Sequence, residues 1–362
     1  MTVPVVVGTG LLALDVVLRG RSKRPVRWCA GGTCGNVLVA LRYLGWKAVP
    51  IARLADDRAR RVLEADLVRW GVDVRLIGVA PQGPTPIIVE RILRNASGEP
   101  EHRFSWTCPC CGAWLPRYKP VLASAVASIA EEISRPAVFF FDRPSRSALV
   151  LAETYASKGT LIVFEPSANA EPALFDAAIE VADVIKYSDQ RVAAIPPSRS
   201  KKRRLEIQTL GAAGLRYRTT HGRRSGSWHV LPAIPASAVA DTAGAGDWCT
   251  AGLLSRLGGG GRSALDDIAA KDLRDALRYG QALSSWNCGF EGARGGMYER
   301  SREEFAREVN AILAGDGQTA VADSLEHDEL ELDMICPACP AEDDERKVVA
   351  RSRTSPIAQR LR

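Results

Sequence analysis

One glycine-rich stretch that ends in an acidic residue has the residue types and spacing for chemistry. It runs Asp241-Thr242-Ala243-Gly244-Ala245-Gly246-Asp247 and leads directly into an apolar periodic run. Small residues permit a tight turn, and the first amides of the helix that follows lack internal partners, so they can bind an anion. Asp247, in the first helical turn, can accept a proton from an attacking hydroxyl. The stretch therefore predicts an anion hole at Gly244, Ala245 and Gly246 beside a general base, which phosphoryl transfer to an alcohol requires.

Two other glycine motifs precede this stretch, and each also has a purely structural explanation. Gly31-Gly32-Thr33-Cys34-Gly35-Asn36 opens a helical run, in which the glycines let a ligand approach the backbone and Asn36 can hydrogen-bond hydroxyls. A T-x-G-x2-G pattern at residues 209–214 follows a predicted strand. In isolation, a helix cap and a tight turn explain these motifs equally well, and a lone GAGD is more often a turn whose Asp caps a helix.

Taken together and in this order, the GG-x3-N, T-x-G-x2-G and DTAGAGD motifs make the sequence resemble the PfkB (ribokinase-like) family of carbohydrate and nucleoside kinases. The resemblance extends from about residue 3 to about residue 300. It implies ATP and Mg²⁺, a sugar or nucleoside substrate, a monovalent cation, and a homodimer as one open oligomeric state. The implied site residues are Asp15, Gly31, Gly32 and Asn36 for the substrate, Thr209, Gly211 and Gly214 for ATP, and Asp241 for the cation.

The elements that would position these residues alternate along the chain. Apolar runs at residues 3–8 and 49–54 predict buried strands, and helices and strands alternate from residue 121 onward. This order predicts an α/β fold with a parallel sheet covered on both faces and ligands at the carboxyl ends of its strands. The resemblance makes it a ribokinase-like three-layer sandwich with a mostly parallel central sheet, and makes strands at about 12–28 and 85–107 a small β lid. Further strands are predicted at residues 137–141, 160–164, 184–185 and 205–210, and helices at 57–70 and 171–181.

The first glycines of the chain also match a dinucleotide-binding fingerprint. Gly8-Thr9-Gly10-Leu11-Leu12-Ala13 fits GxGxxA, but that motif requires a helix next and an acidic residue about 20 positions later. Asp15 and the apolar and basic residues after it predict a strand instead. A nicotinamide oxidoreductase is therefore disfavoured.

One departure from the family pattern concerns Mg²⁺. Where many relatives carry N-x-x-E, this chain has Ser188-Asp189-Gln190-Arg191, and arginine cannot bind a metal. Three alternatives stay open: Asp189 or Glu165 takes the role, the ATP phosphates hold the metal, or activity is reduced.

Two C-P-x-C knuckles predict a structural zinc site with four thiolate ligands. The predicted ligands are Cys108, Cys111, Cys336 and Cys339, with Cys110 either buried or exchanging as a ligand. The metal would attach the C-terminal knuckle to residues 108–112. A redox dithiol has the same spacing and is the alternative. The remaining cysteines are predicted to pack as small apolar residues: Cys29, Cys34, Cys249 and Cys288.

Length and composition fit a globular enzyme. The 362 residues are 46% hydrophobic and 25% charged, which suits one large α/β domain with an appendage. The absence of a long apolar run and of a signal-peptide pattern predicts a cytoplasmic protein without a membrane span. The net charge of +6 lies in clusters such as residues 199–204, which more often coat exposed loops than bind nucleic acid. The predicted divisions are a kinase domain at 1–312, a linker and cysteine knuckle at 313–340, and a charged, flexible tail at 341–362.

The leading hypothesis is ATP-dependent phosphorylation of a sugar or sugar-containing small molecule, with Asp247 as general base. The alternative is a non-catalytic or weakly active binding or regulatory protein on a kinase scaffold, with a zinc-organised C-terminal contact surface. The altered N-x-x-E region and the basic tail favour the alternative, whereas the intact Asp247 favours the kinase. Ribose, fructose, a nucleoside and a modified sugar all stay open as substrates.

Overall fold

Two β-sheets and ten α-helices make up the part of the chain that the computed structural model describes, which comprises residues 2–80, 83–95, 98, 100–168, 171–221, 224–316, 333 and 335–339. The strands are β1 (Val5–Thr9), β2 (Ala13–Arg19), β3 (Arg27–Gly31), β4 (Lys47–Leu54), β5 (Ile77–Val79), β6 (Ile87–Arg94), β7 (Pro100–Ser105), β8 (Val138–Phe141), β9 (Leu161–Phe164), β10 (Val184–Ser188), β11 (Arg203–Thr209), β12 (Leu215–His221), β13 (Arg224–Ser225) and β14 (His229–Leu231). The helices are α1 (Gly32–Tyr43), α2 (Arg58–Arg69), α3 (Val126–Glu132), α4 (Arg146–Ala156), α5 (Pro172–Val181), α6 (Ala245–Leu257), α7 (Arg262–Asp267), α8 (Ala270–Asn287), α9 (Gly295–Glu299) and α10 (Arg302–Ala314). The tail predicted at 341–362 and most of the predicted linker lie outside the described residues.

The main sheet is mostly parallel, as predicted. Its strand order is β13-β12-β11-β10-β9-β8-β1-β4-β5, and β14 pairs with β12. Every pairing from β11 to β5 is parallel, whereas β12 pairs antiparallel with β11, β13 and β14. The carboxyl ends of the parallel strands therefore share one edge, and the motif residues of β1, β8, β9, β10 and β11 follow those ends.

Alternate residues of the central strands face two different helical layers. Val6 and Phe140 belong to the core that contains residues of α1, α6 and α8. Val7 and Phe139 belong to the opposite core, which contains residues of α3, α4 and α5. Because side chains alternate across a strand, strands that are apolar at every position are buried on both faces. This arrangement confirms the predicted α/β sandwich.

The second sheet is small and lies over the carboxyl ends of the main one. Its order is β3-β2-β6-β7, with β2 and β6 parallel and both outer pairings antiparallel. The residues after Gly10 form β2, so the strand predicted there is confirmed and the helix that a dinucleotide fingerprint needs does not form. No helix of the described part of the chain is long and apolar enough to cross a bilayer.

Two central helices approach each other unusually closely at a pair of glycines. A Cβ on Gly252 of α6 would lie 2.7 Å from the Cα of Gly280 in α8, and a Cβ on Gly280 would lie 2.5 Å from the carbonyl oxygen of Cys249. Since backbone cannot yield as a flexible side chain can, the contact requires glycine on both helices. It fixes the middle of α6 against α8.

We expect Gly280→Ala to destabilise the protein by roughly 1–3 kcal/mol through overpacking. Gly259→Ala is the matched control, because a Cβ at Gly259 meets no atom within 4 Å. Urea denaturation of the two variants and the unaltered protein measures the difference. Equal stability of the two variants would contradict the glycine contact.

Candidate active site

The DTAGAGD stretch forms a tight turn at the start of α6. Gly244 precedes the helix with a φ of +71°, and a Cβ there would lie 2.1 Å from the carbonyl oxygen of Ala293. The side-chain amide of Asn287 donates to the carbonyl oxygen of Ala243 at 3.0 Å. The turn is therefore held both by α8 and by the segment before α9, and only glycine fits at position 244.

The amides at this turn differ in what they can offer a ligand. The amide of Ala245 donates to the carbonyl oxygen of Thr242 at 3.3 Å. The amides of Gly246 and Asp247 follow in the first helical turn, where no intrahelical acceptor is available, and Gly246 is exposed. Of the predicted anion hole at residues 244–246, the part at Gly246 is the best placed for an anion.

Asp247 is held by a chain of buried hydrogen bonds. Nδ2 of Asn36 donates to Oδ2 of Asp247 at 2.8 Å, and Nε of Arg294 donates to Oδ1 of Asn36 at 3.1 Å. The second bond fixes the orientation of the amide, so that its NH₂ group faces Asp247. Arg294 is fully buried, forms an ion pair with Asp66 at 2.9 Å, and also donates to the carbonyl oxygen of Ala30.

Sequence reasoning missed Arg294 and Asp66. They lie 228 positions apart, and Arg294 and Asn36 lie 258 positions apart, so no local spacing indicates the contacts. The one available signal is an arginine within the small residues Gly292-Ala293-Arg294-Gly295-Gly296. A lone arginine in such a segment must find a buried acidic partner or stay in solvent.

The surroundings of Asp247 make its carboxyl group more basic. Burial, followed by the negative charge of Glu165, raises the pKa of Asp247 to about 8, and the hydrogen bond from Asn36 acts in the opposite direction. A carboxylate of this basicity suits general base catalysis near neutral pH. Asp247 is only partly buried, so a substrate can reach it.

Asp15, which the resemblance assigns to the substrate, lies beside the GG-x3-N motif. The amide of Gly32 donates to its Oδ2 at 3.4 Å, and a Cβ on Gly31 would lie 1.8 Å from that oxygen. Gly31 therefore leaves room for the carboxyl group. Burial raises the pKa of Asp15 to about 7. Oδ1 of Asp15 has no partner among the described residues, although the residue is only 3% exposed, so it is available to a ligand.

The lid contacts the DTAGAGD stretch directly. Nδ1 of His102 in β7 lies 3.0 Å from Oγ1 of Thr242 and 3.3 Å from Oδ1 of Asp241. Asp241 also accepts hydrogen bonds from the amides of Ala243 at 3.0 Å and Gly292 at 2.9 Å. These donors hold Asp241 between the lid and the loop before α9.

Glu90 of β6 is a second acidic residue at this contact, and sequence reasoning missed it. Its side chain is fully buried and lies beside that of Asp241. Burial, followed by the charge of Asp241, raises the pKa of Glu90 well above its usual range. The available signal was a glutamate ending an apolar run, Ile87-Ile88-Val89-Glu90.

Glu165 is the acidic residue that reaches the anion pocket. Its Oε1 lies 2.6 Å from Nζ of Lys186, and its Oε2 accepts a hydrogen bond from Oγ1 of Thr250 at 2.6 Å. A Cβ on Gly246 would lie 3.6 Å from Nζ of Lys186 and 3.8 Å from Oε1 of Glu165. Asp189, by contrast, is exposed at the end of β10. Of the two predicted substitutes for the N-x-x-E glutamate, the geometry favours Glu165.

The predicted ATP residues lie at the turn between β11 and β12. Oγ1 of Thr209 donates to the carbonyl oxygen of Tyr187 at 3.4 Å. Gly211 and Gly214 have φ values of +56° and +101°, and a Cβ on Gly214 would lie 2.3 Å from the carbonyl oxygen of Leu231 in β14. The turn alone therefore accounts for the glycines, while its place beside the carboxyl end of β10 is compatible with a nucleotide.

The four predicted knuckle cysteines converge. Sγ of Cys108 lies 3.8 Å from Sγ of Cys339, Sγ of Cys111 lies 3.8 Å from Sγ of Cys336, and all four sulfurs lie within 4.8 Å of one another. Cys110 is exposed and does not belong to the group. The amide of Ala113 holds the pKa of Cys111 below its usual range.

Comparison with known proteins gives the same family as the motifs. The pattern of the pfkB family carbohydrate kinases matches residues 145–300. A fructokinase of Klebsiella pneumoniae is 30% identical over 272 residues, which cover 67% of this chain and 80% of that protein. The ribokinase of Giardia lamblia superposes with a TM-score of 0.63 at 16% identity, over 87% of this chain and 99% of that one. The nucleoside kinase of Burkholderia thailandensis in complex with inosine gives 0.58 at 19% identity, over 85% and 99%.

We expect Arg294→Met to destabilise the protein by about 3–5 kcal/mol, because it leaves Asp66 buried without its counter-charge. Asp66→Asn combined with Arg294→Met should recover much of that loss. Glu101→Gln, which removes one partner of an exposed pair with Arg103, is the control and should change stability by less than about 1 kcal/mol. Urea denaturation gives all the values; an Arg294→Met variant as stable as the control would disprove the buried pair.

Proposed function

Since the chain belongs to the pfkB family of carbohydrate kinases, we propose that it transfers the γ-phosphoryl group of ATP to a hydroxyl of a sugar or sugar-containing small molecule. The observation that carries the proposal is the bond from Asn36 to Asp247 at the anion turn. The bond supports the proposal, because a basic carboxylate next to first-turn amides is the pairing that phosphoryl transfer to an alcohol needs.

In the proposed reaction, Asp15, Gly31, Gly32 and Asn36 hold the substrate. Asp247 takes the proton of the attacking hydroxyl as the new oxygen–phosphorus bond forms. The bond between the γ-phosphorus and the bridging oxygen breaks, and ADP leaves with the electron pair. Of the predicted anion hole at Gly244, Ala245 and Gly246, the Gly246 amide would offset the charge on the transferring group. Thr209, Gly211 and Gly214 are assigned to ATP.

Two side chains next to the anion turn suit the cofactor and the phosphates. Mg²⁺ would neutralise phosphate charge when bound. A carboxylate is the ligand type it prefers, and Glu165 lies beside Gly246, so this chain fits Mg²⁺ without the N-x-x-E glutamate. Lys186, now paired with Glu165, would turn to the γ-phosphate. Asp241 is assigned to a monovalent cation, and the buried carboxyl group of Glu90 lies beside it.

Asp247→Asn should reduce turnover by at least about 100-fold while ATP affinity stays unchanged, because the amide cannot accept the proton. The measurement is ADP formation by purified protein with Mg²⁺ and a panel of sugars and nucleosides, beside ATP binding by calorimetry. Near-normal turnover of the variant would remove Asp247 from the base role. Absence of turnover by the unaltered protein on the whole panel would favour the non-catalytic binding protein.

The pH dependence gives the same experiment a second readout. The base acts when deprotonated, so kcat/KM should rise with pH along a limb near the Asp247 pKa of about 8. Asn36→Ala removes a hydrogen bond that lowers this pKa, and the limb should therefore move to higher pH. A limb that stays in place in Asn36→Ala would contradict the assignment.

We further propose that the four knuckle cysteines bind a structural zinc ion. Tetrahedral zinc with bonds of about 2.3 Å separates its sulfur ligands by about 3.8 Å, and both short Sγ–Sγ distances are 3.8 Å. Cys108 and Cys336 are buried in the main core together with Ile335, so the second knuckle packs against the kinase domain. The fit supports zinc over a redox dithiol, which needs only two cysteines.

One zinc ion per chain should be found by plasma mass spectrometry of protein purified without chelator. Cys111→Ser should lose it, since a hydroxyl is a poor zinc ligand. Cys110→Ser is the matched control one residue away and should keep it, because Cys110 lies outside the cluster. Metal-free unaltered protein, or equal loss from both variants, would overturn the four-cysteine site.

A further inference from the structure

A cavity of about 350 Å³ lies between the main sheet and the lid. Its lining consists of Leu11, Trp106, Arg117, Tyr118 and Arg143. Leu11 follows β1, Arg143 follows β8, and Trp106 follows β7 of the lid. The volume suits a small metabolite, and the position at the carboxyl ends of two neighbouring parallel strands is where such folds bind ligands.

The cavity carries an excess of positive charge. Nη1 of Arg143 donates to Oδ2 of the buried Asp142 at 2.8 Å, and within the described residues this guanidinium makes no hydrogen bond through Nε or Nη2. The guanidinium carbon of Arg117 lies 4.9 Å from the centre of the Trp114 ring. Arg117 has no acidic partner among the described residues. The cavity lining thus holds two guanidinium groups, of which, in the part of the chain that the structure describes, only that of Arg143 is paired with a carboxylate, that of Asp142. Guanidinium groups pair with carboxylates and phosphates through two parallel hydrogen bonds.

The cavity adjoins the proposed reaction centre. Asp142 accepts a hydrogen bond from the amide of Leu11 at 2.8 Å. The carbonyl oxygen of Leu11 accepts a hydrogen bond from the amide of Gly35 at 3.3 Å. Gly35 lies in α1 directly before Asn36, which bonds to Asp247. A molecule with a hydroxyl at Asp247 can therefore extend toward the arginines.

We propose that the substrate carries an anionic group, either a carboxylate or a phosphate, which Arg117 and Arg143 bind while Asp247 acts on a hydroxyl. The inference rests on the proposed kinase function and narrows it from sugars in general to sugar acids or sugar phosphates. Trp106 and Tyr118 form the apolar sides of the same subsite.

The knuckle loop holds half of this subsite in place. The amide of Leu115 donates to the carbonyl oxygen of Trp106 at 2.7 Å, and Thr107 pairs with Trp114 across the loop that contains Cys108 and Cys111. Trp106 thus lies just before the cysteine-containing loop, and Arg117 and Tyr118 lie just after it. Metal binding and the anionic subsite are therefore built from one piece of chain.

The test compares anionic compounds with their neutral parents. Initial rates of ADP formation are measured with fructose, fructose 1-phosphate and fructose 6-phosphate, with ribose and ribose 5-phosphate, and with glucose and gluconate. We expect at least one anionic compound to exceed its neutral parent in kcat/KM by more than about tenfold. The phosphate pairs and the gluconate pair distinguish the two sources of negative charge. A neutral parent that is preferred in every pair would overturn the inference and leave the kinase function standing.

Variants of the two arginines test whether the preference for anionic compounds arises at this subsite. Arg117→Gln should lower kcat/KM for the anionic compound by roughly 10- to 100-fold through KM, as loss of a charge-assisted pair implies. The kcat/KM for the neutral parent should change by less than about threefold. Arg143→Lys keeps the charge but not the geometry for two parallel hydrogen bonds, so it should weaken binding of the anionic compound to a smaller degree. Arg103→Gln, on the exposed side of β7, is the control and should behave as the unaltered protein. Equal losses for anionic and neutral compounds in Arg117→Gln would contradict the subsite.

Measuring the binding of these compounds without ATP tests the anionic subsite independently of phosphoryl transfer. Thermal denaturation is followed with each anionic compound or its neutral parent, in the unaltered protein and in Arg117→Gln. If an anionic compound stabilises the unaltered protein but not Arg117→Gln, the result would support the subsite even if no compound of the panel is phosphorylated. Stabilisation by none of the anionic compounds, together with no turnover, would overturn both proposals.

Discussion

The buried charge of Arg294 is the constraint on which much of this structure depends. A guanidinium group cannot lose its water without a counter-charge and acceptors for its protons. Asp66, Asn36 and the carbonyl oxygen of Ala30 supply these. They belong to α2, α1 and β3, so one side chain binds the lid, two helices and the loop before α9 together. The orientation of the Asn36 amide, and hence the bond to Asp247, is a product of that requirement.

The lid is tied to the rest of the molecule at two points, one within β7 and one shortly after it. His102 contacts Thr242 and Asp241 of the DTAGAGD stretch. Six residues later, Cys108 joins the cysteine cluster. The lid is therefore attached through hydrogen bonds at one point and through the cysteine cluster at the other. Such double attachment restricts the lid more than the antiparallel pairing of β6 with β7 could achieve alone.

Much of the fold was predictable because its signals are local. Apolar runs gave strands within one or two residues of β4, β8 and β9, and Asp57 caps α2 where that helix was expected to begin. The DTAGAGD and GG-x3-N motifs indicated Asp247 and Asn36, which the fold brings to 2.8 Å of each other. The extent of β10 was underestimated, since Lys186 and Ser188 interrupt an apolar run although both belong to the strand.

The residues that sequence reasoning missed are those defined by distant partners. Arg294 and Glu90 have no periodicity or spacing that indicates burial, because their surroundings come from other parts of the chain. The basic cluster at 199–204 shows the opposite error. It was expected to coat exposed loops, yet Arg204 is 4% exposed and donates to Ser198 and to the carbonyl oxygen of Ala182. Local composition cannot distinguish a solvated charge from one that is satisfied by carbonyl groups across the sheet.

The meeting of the two knuckles joins residues that are 225 and 231 positions apart. A ribosome that adds about 5–20 residues per second needs roughly 10–45 s to pass from the first knuckle to the second. During that interval the lid strands already exist, but the partner of Cys108 and Cys111 does not. The first knuckle therefore stays without its partner thiols until a late segment of the polypeptide leaves the exit tunnel.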